Sequence, residues 1–241
     1  QFLLGVSTIH YIIKQVCDAI WDCLKPMYMP EKTNNDFKKI SEDFFHRTNF
    51  PNVIGAVDGK HIEIAKPDDS GSLQLQSGQI DLPEPKTLPN DPNGKRMPFV
   101  LLGDEAFALS NYVLRPYPNR NLTVQQRVYN YRLTRARRMI ECSFGILSNK
   151  WRILTRAIDL QPDRTISVVK ACCVLHNFVR NKDGFQFDDT LYDSTLHALQ
   201  PTGLRSNHTG LEIRDYFAKY FTSPQGSIPW QYQVINRQNG D

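Results

Sequence analysis

Two short apolar runs, each closing on an aspartate, constrain the fold of this chain more than any other feature. The run VIGAV at 53–57 leads into Asp58-Gly59, and Phe99-Val100-Leu101-Leu102 leads into Gly103-Asp104. Both are too short for a helix and apolar throughout, so each reads as a buried strand. Helical patterns lie on either side of them. Strands set between helices point to an α/β sheet, with the two aspartates at the ends of strands.

The helical patterns are regular. Over 5–24 the apolar positions Val6, Ile9, Ile12, Ile13, Val16, Ile20 and Leu24 recur at helical spacing, with Ser7 as a candidate N-cap after Gly5. Such a helix is open to two readings, packing alone or the second helix of a helix-turn-helix. A second helix is expected over 35–47, where Phe37, Ile40, Phe44 and Phe45 share a face. The alternating residues His61-Ile62-Glu63-Ile64, stopped by Pro67, predict a strand. From 66 to 98 the chain is rich in Pro, Gly and Asp and carries no strand or helix pattern, an unusual length for a loop in a compact domain.

Downstream, Thr123 is placed to cap a long helix over 124–151, in which Ile140, Phe144, Leu147 and Trp151 form an apolar stripe. Further helices are expected over 166–180 and 211–221, followed by a polar tail without structure.

Bulk properties narrow the function classes. Hydrophobic residues make up 40% of the 241 positions and charged residues 22%, as in an ordinary globular chain, which argues against wholesale disorder. A net charge of +4 is compatible with a polyanionic partner. Five cysteines, an odd number without a zinc spacing, predict reduced thiols in an intracellular protein and no disulfide framework. Cys172, Cys173 and His176 fit a buried helix face better than a metal site, because adjacent helical residues point about 100° apart. No apolar run reaches membrane-spanning length, and no signal-peptide pattern is visible in these residues.

The chemistry-bearing residues are acidic. Asp58 and Asp104 end strands, where open sheets bind ligands, and Glu141 lies in the long helix beside Arg135, Arg137 and Arg138. Oxygen donors of this kind suit magnesium or manganese, and a pair of such ions can stabilise the attacking and leaving oxygens at a phosphodiester. Each acid has a plainer alternative. Asp58-Gly59 could be a hairpin turn, Asp104 a strand exit before a helix, and Glu141 a partner of the arginines one turn back. The arginines themselves could neutralise a buried carboxylate, bind phosphate, or line a solvated face.

Taken together, GAVDGKHIEI, VLLGDEAFAL, the stretch from RPYPNRNLTVQQ to RRMIECSFGILSNKWRIL, and KACCVLHNF resemble the Harbinger transposase-derived nucleases of the DDE superfamily. The tail IRDYFAKYFTSPQGSIPWQ resembles the C-terminal end of such proteins. The resemblance implies an RNase H-like fold, a mixed sheet flanked by helices. By motif, Asp58, Asp104 and Glu141 are its catalytic, metal-binding triad, with Lys60, Arg137 and Arg138 as candidate phosphate contacts. It implies DNA as partner, a divalent cation as cofactor, a separate Myb-like protein as a possible helper, and a nuclear location with the cytoplasm as alternative.

The sequence also departs from that family. Ser70-Gly71-Ser72-Leu73 resembles the start of a family segment and Gln79-Ile80-Asp81-Leu82-Pro83 its end, so central strands are expected to be missing near 70–82. The expected organisation is a helical segment at 1–50, remnant of a helix-turn-helix region, an endonuclease domain at 51–181, and a tail at 182–241. Two functions follow as alternatives: a metal-dependent DNA endonuclease, or a domesticated or defective module that binds DNA or protein without cutting. A fragment with no function of its own is the third.

Overall fold

The computed structural model describes residues 4–61, 82–184, 197–198 and 207–237. In chain order these form α1 (Val6–Tyr28), α2 (Asn34–Thr48), β1 (Val53–Ala56), β2 (Lys60–His61), β3 (Val100–Leu102), β4 (Val113–Leu114), α3 (Val124–Lys150), a 3₁₀ turn (Arg152–Thr155), α4 (Pro162–Asp183), β5 (His197–Ala198), α5 (His208–Thr222) and α6 (Gln231–Arg237). The chain is α/β, helix-rich, with a small parallel sheet in the order β1-β3-β4. The residues divide into two compact units.

The first unit comprises Lys32–Gly59, Gly78–Ile140 and Ala198–Asp241. Its sheet pairs Ala56 with Leu102 and Leu102 with Leu114. Val53, Val100, Leu102 and Leu114 are buried against Val128, Tyr129, Leu133 and Ala136 of α3 and Phe217 and Phe221 of α5. Phe50, just before β1, stacks edge-on to Phe221 with ring centres 4.8 Å apart. Thr123 caps α3 as its sequence predicts: its hydroxyl accepts from the Gln126 amide and the Gln126 side chain accepts from the Thr123 amide. Thr33 and Asp36 do the same for α2, one residue earlier than the apolar pattern suggests.

Two local expectations are corrected, and a third falls largely outside the described residues. Ser7 is not a cap, since α1 starts after Gly5 without a side-chain cap bond. The polar tail contains α6, held by the buried side chains of Gln231 and Ile235. The strand expected at 61–64 is described only as far as His61; its remainder, and the interruption near 70–82 up to Asp81, lie outside the described residues.

The second unit comprises Gln1–Glu31, Lys60–Ser77 and Glu141–His197. Here α1 packs on α4, with Ile13, Cys17, Phe144, Leu147 and Trp151 set around buried Leu154, Val168 and Cys172. Tyr28 meets Phe178 edge-on at 5.2 Å, and Asn177 donates to the Tyr28 carbonyl. Among the described residues no helix is long and apolar enough to cross a membrane.

Candidate active site

Parallel pairing sets Asp58 and Asp104 side by side. Beyond the Ala56–Leu102 pair the ladder continues: the Val57 amide donates to the Leu102 carbonyl, and the Gly103 amide donates to the Leu114 carbonyl. The next residue of each strand is the aspartate. Both carboxylates therefore stand at the carboxyl edge of the sheet on neighbouring strands, the position where open α/β sheets bind ligands. The hairpin alternative for Asp58-Gly59 does not hold, because β1 pairs with β3 while β2 pairs with β5.

Asp104 does not open a helix. Its Oδ1 accepts from the Ala106 amide at 2.9 Å and its carbonyl from the Phe107 amide, closing a turn. Gly103 lies so close to this turn that an added Cβ would meet the Phe107 side chain at 3.1 Å.

Arg137 of α3 joins the two acids. Its Nη2 donates to Asp58 Oδ1 at 3.2 Å and lies 3.9 Å from Asp104 Oδ2. The Asp58 side chain is 2% exposed, Asp104 20% and Arg137 12%. A carboxylate this dry is costly unless a cation or several donors face it, and the guanidinium supplies a cation. One Arg against two Asp leaves the group with a net negative charge.

The remaining expected residues are placed as follows. Glu141 follows Arg137 by one turn of α3, is half-buried, and belongs to the second unit. Arg138 is exposed on α3. Lys60 begins β2, and its side chain lies outside the description. Among the described residues no three His, Cys, Asp or Glu groups come together as a metal cluster.

Sequence reasoning had Arg137 as a phosphate contact or a neutralising charge; its aim onto both strand-end aspartates was missed. The signal was present in the helix period, for Arg137 lies four residues past Leu133 and one past Ala136, at the edge of the buried stripe.

In the second unit, burial pushes the Cys172 thiol up to about 11 and Cys173 up as well, while burial and the nearby Arg180 and Lys150 lower His176. Thiols so disfavoured as thiolates are poor nucleophiles and poor metal ligands. Packing is their role.

Residues 90–177 match the DDE superfamily endonuclease family. Asp104, Arg137, Arg138 and Glu141 lie inside that segment; Asp58 and Lys60 precede it. The chain is also similar to "Protein ALP1-like" of Arabidopsis thaliana, 26% identical over 107 residues, covering 40% of this chain and 26% of the relative. The match thus spans about a quarter of the relative's length. No solved structure matches. The transposase-type resemblance of the motifs is borne out, and residues 90–177 are similar to the DDE superfamily endonucleases.

Proposed function

We propose that the chain carries a metal-dependent DNA endonuclease site of the Harbinger transposase type, centred on Asp58 and Asp104. The observation that supports it is the meeting of both carboxylates on one cation, the Arg137 guanidinium, at the carboxyl edge of the sheet. Two acids on neighbouring strand ends that share one positive charge fit a divalent cation as a donor set. Asp58 and Asp104 would hold it, and when bound it would supply Lewis-acid activation of a water or a DNA 3′ hydroxyl for attack on phosphorus. The β1 and β3 ends fix the two aspartates, while Arg138 would meet backbone phosphates. An RNase H-like fold, a nuclear location and help from a Myb-like protein belong to the same proposal.

The test is nicking of supercoiled DNA by the purified chain with Mg²⁺ or Mn²⁺, beside Asp104→Asn. Metal-dependent nicking that drops by about 10²-fold or more in the variant supports the endonuclease. The second reading, a module that binds without cutting, draws on the pairing of Arg137 with both acids. Salt-sensitive DNA binding with no nicking in either protein would decide for it.

A further inference from the structure

We propose that Arg137 is a resident counter-ion that competes with divalent cations for the Asp58–Asp104 pair, so that loading these acids requires displacing the guanidinium. The inference rests on the metal-dependent reading above and adds a built-in restraint to it. Arg137 Nη2 is 3.2 Å from Asp58 Oδ1 and 3.9 Å from Asp104 Oδ2, so one guanidinium nitrogen faces both acids. A cation shared by the two carboxylates would have to come into the space facing Asp58 Oδ1 and Asp104 Oδ2, where Nη2 lies.

Charge decides between coexistence and exchange. Two carboxylates with a guanidinium carry a net charge of −1; with a divalent cation alone they are neutral. Keeping both cations would force like charges within a few Å of each other at a nearly dry carboxylate, where the repulsion is weakly screened. A guanidinium keeps its charge at neutral pH, so relief comes by movement. The freed group would then stand on the same helix turn as exposed Arg138, in place for a phosphate. Metal loading and phosphate binding are in this way coupled through one side chain.

The test measures Mn²⁺ binding by the electron paramagnetic resonance of free Mn²⁺, in the purified chain, Arg137→Met, Arg137→Lys and Asp58→Asn. Removing the internal cation should tighten Mn²⁺ binding in Arg137→Met by about tenfold or more, while Arg137→Lys stays within about threefold of the parent. In EDTA the Tm of Arg137→Met should fall, and Mn²⁺ should restore it. Equal affinity in the parent and Arg137→Met overturns the proposal.

Should Arg137→Met not fold, the unmodified chain decides. Its Arg137 Nε–Hε resonance, assigned by its loss in Arg137→Lys, should shift as Mg²⁺ is added; a resonance unmoved at saturation overturns the proposal. Mn²⁺ binding that Asp58→Asn leaves unchanged, or no binding by any of the proteins, overturns the metal reading and this inference together. Binding lost in Asp58→Asn without a gain in Arg137→Met removes the restraint alone.

Discussion

Arg132, one turn before the residues of the site, is 1% exposed, and its hydrogen bonds run to neutral acceptors. Its guanidinium donates to the Asn49 carbonyl at the end of α2, to the Gly226 carbonyl and to Gln231 Oε1, and lies 4.3 Å from the centre of the Phe221 ring. Burial lowers its pKa to about 10. A side chain this dry serves as a cross-link, tying α2, α3 and the start of α6 through carbonyl oxygens. Arg132→Met fills much of the same volume but supplies no donor. We expect it to lower the stability of the sheet unit by about 1–3 kcal/mol, read from urea unfolding, because the Asn49 and Gly226 carbonyls lose their donor. An unchanged midpoint would show that water or a neighbouring donor takes over.

At the scale of elements, α5 comes against the loop between β3 and β4 so closely that only glycine fits. A Cβ on Gly210 would lie 2.8 Å from the Ser110 carbonyl oxygen and 2.9 Å from its carbon, and the Asn207 amide donates to the Leu109 carbonyl beside it. Gly210→Ala gains up to about 1 kcal/mol of helix propensity but forces backbone apart at a cost of about 1–3 kcal/mol. The clash should win, giving a net loss of about 1–2 kcal/mol in the same unfolding measurement. A gain would mean that the helix slides freely over the loop.

Elements of this kind also show what the sequence could reveal. The long helix α3 was legible because Thr123, Gln126 and the apolar period are local signals. Strand β4 was not, since its two residues, Val113 and Leu114, are a strand only by pairing with β3. Nor was α6, whose seven residues are fixed by the Gln231 side chain donating to the Phe221 carbonyl. The aspartates were legible as strand ends. Their adjacency was not, because parallel register is set by contacts distant in sequence.

For the whole molecule the consequence is a stability that declines in base. Burial raises Tyr220 to about 12, and raises Tyr117 and Tyr129 well above the ordinary tyrosine value of 10; for Tyr117 the hydrogen bond to Asp215 at 2.5 Å adds to the effect. A raised folded pKa means stability that is complete below the unfolded value and lost as pH rises through the folded one. Above pH 10 the unfolded chain therefore gives up protons that the folded sheet unit retains, at about 1.4 kcal/mol per pH unit for each tyrosine. Arg132 acts in the opposite sense, since its folded value is lowered to about 10 and its contribution grows as pH rises beyond that. Three groups outweigh one. In the second unit Cys172, raised to about 11 from 9, adds a loss that begins a pH unit earlier. Urea unfolding of the chain at pH 8, 10 and 11 should thus show a shallow decline up to pH 10 and a steep one beyond it. Tyr220→Phe keeps the ring in the core and gives up the hydroxyl bond to the Pro89 carbonyl. It should be less stable than the parent at pH 8 by about 1 kcal/mol, and the difference should narrow by pH 11. Parallel declines in the two proteins would place the base sensitivity elsewhere than in Tyr220.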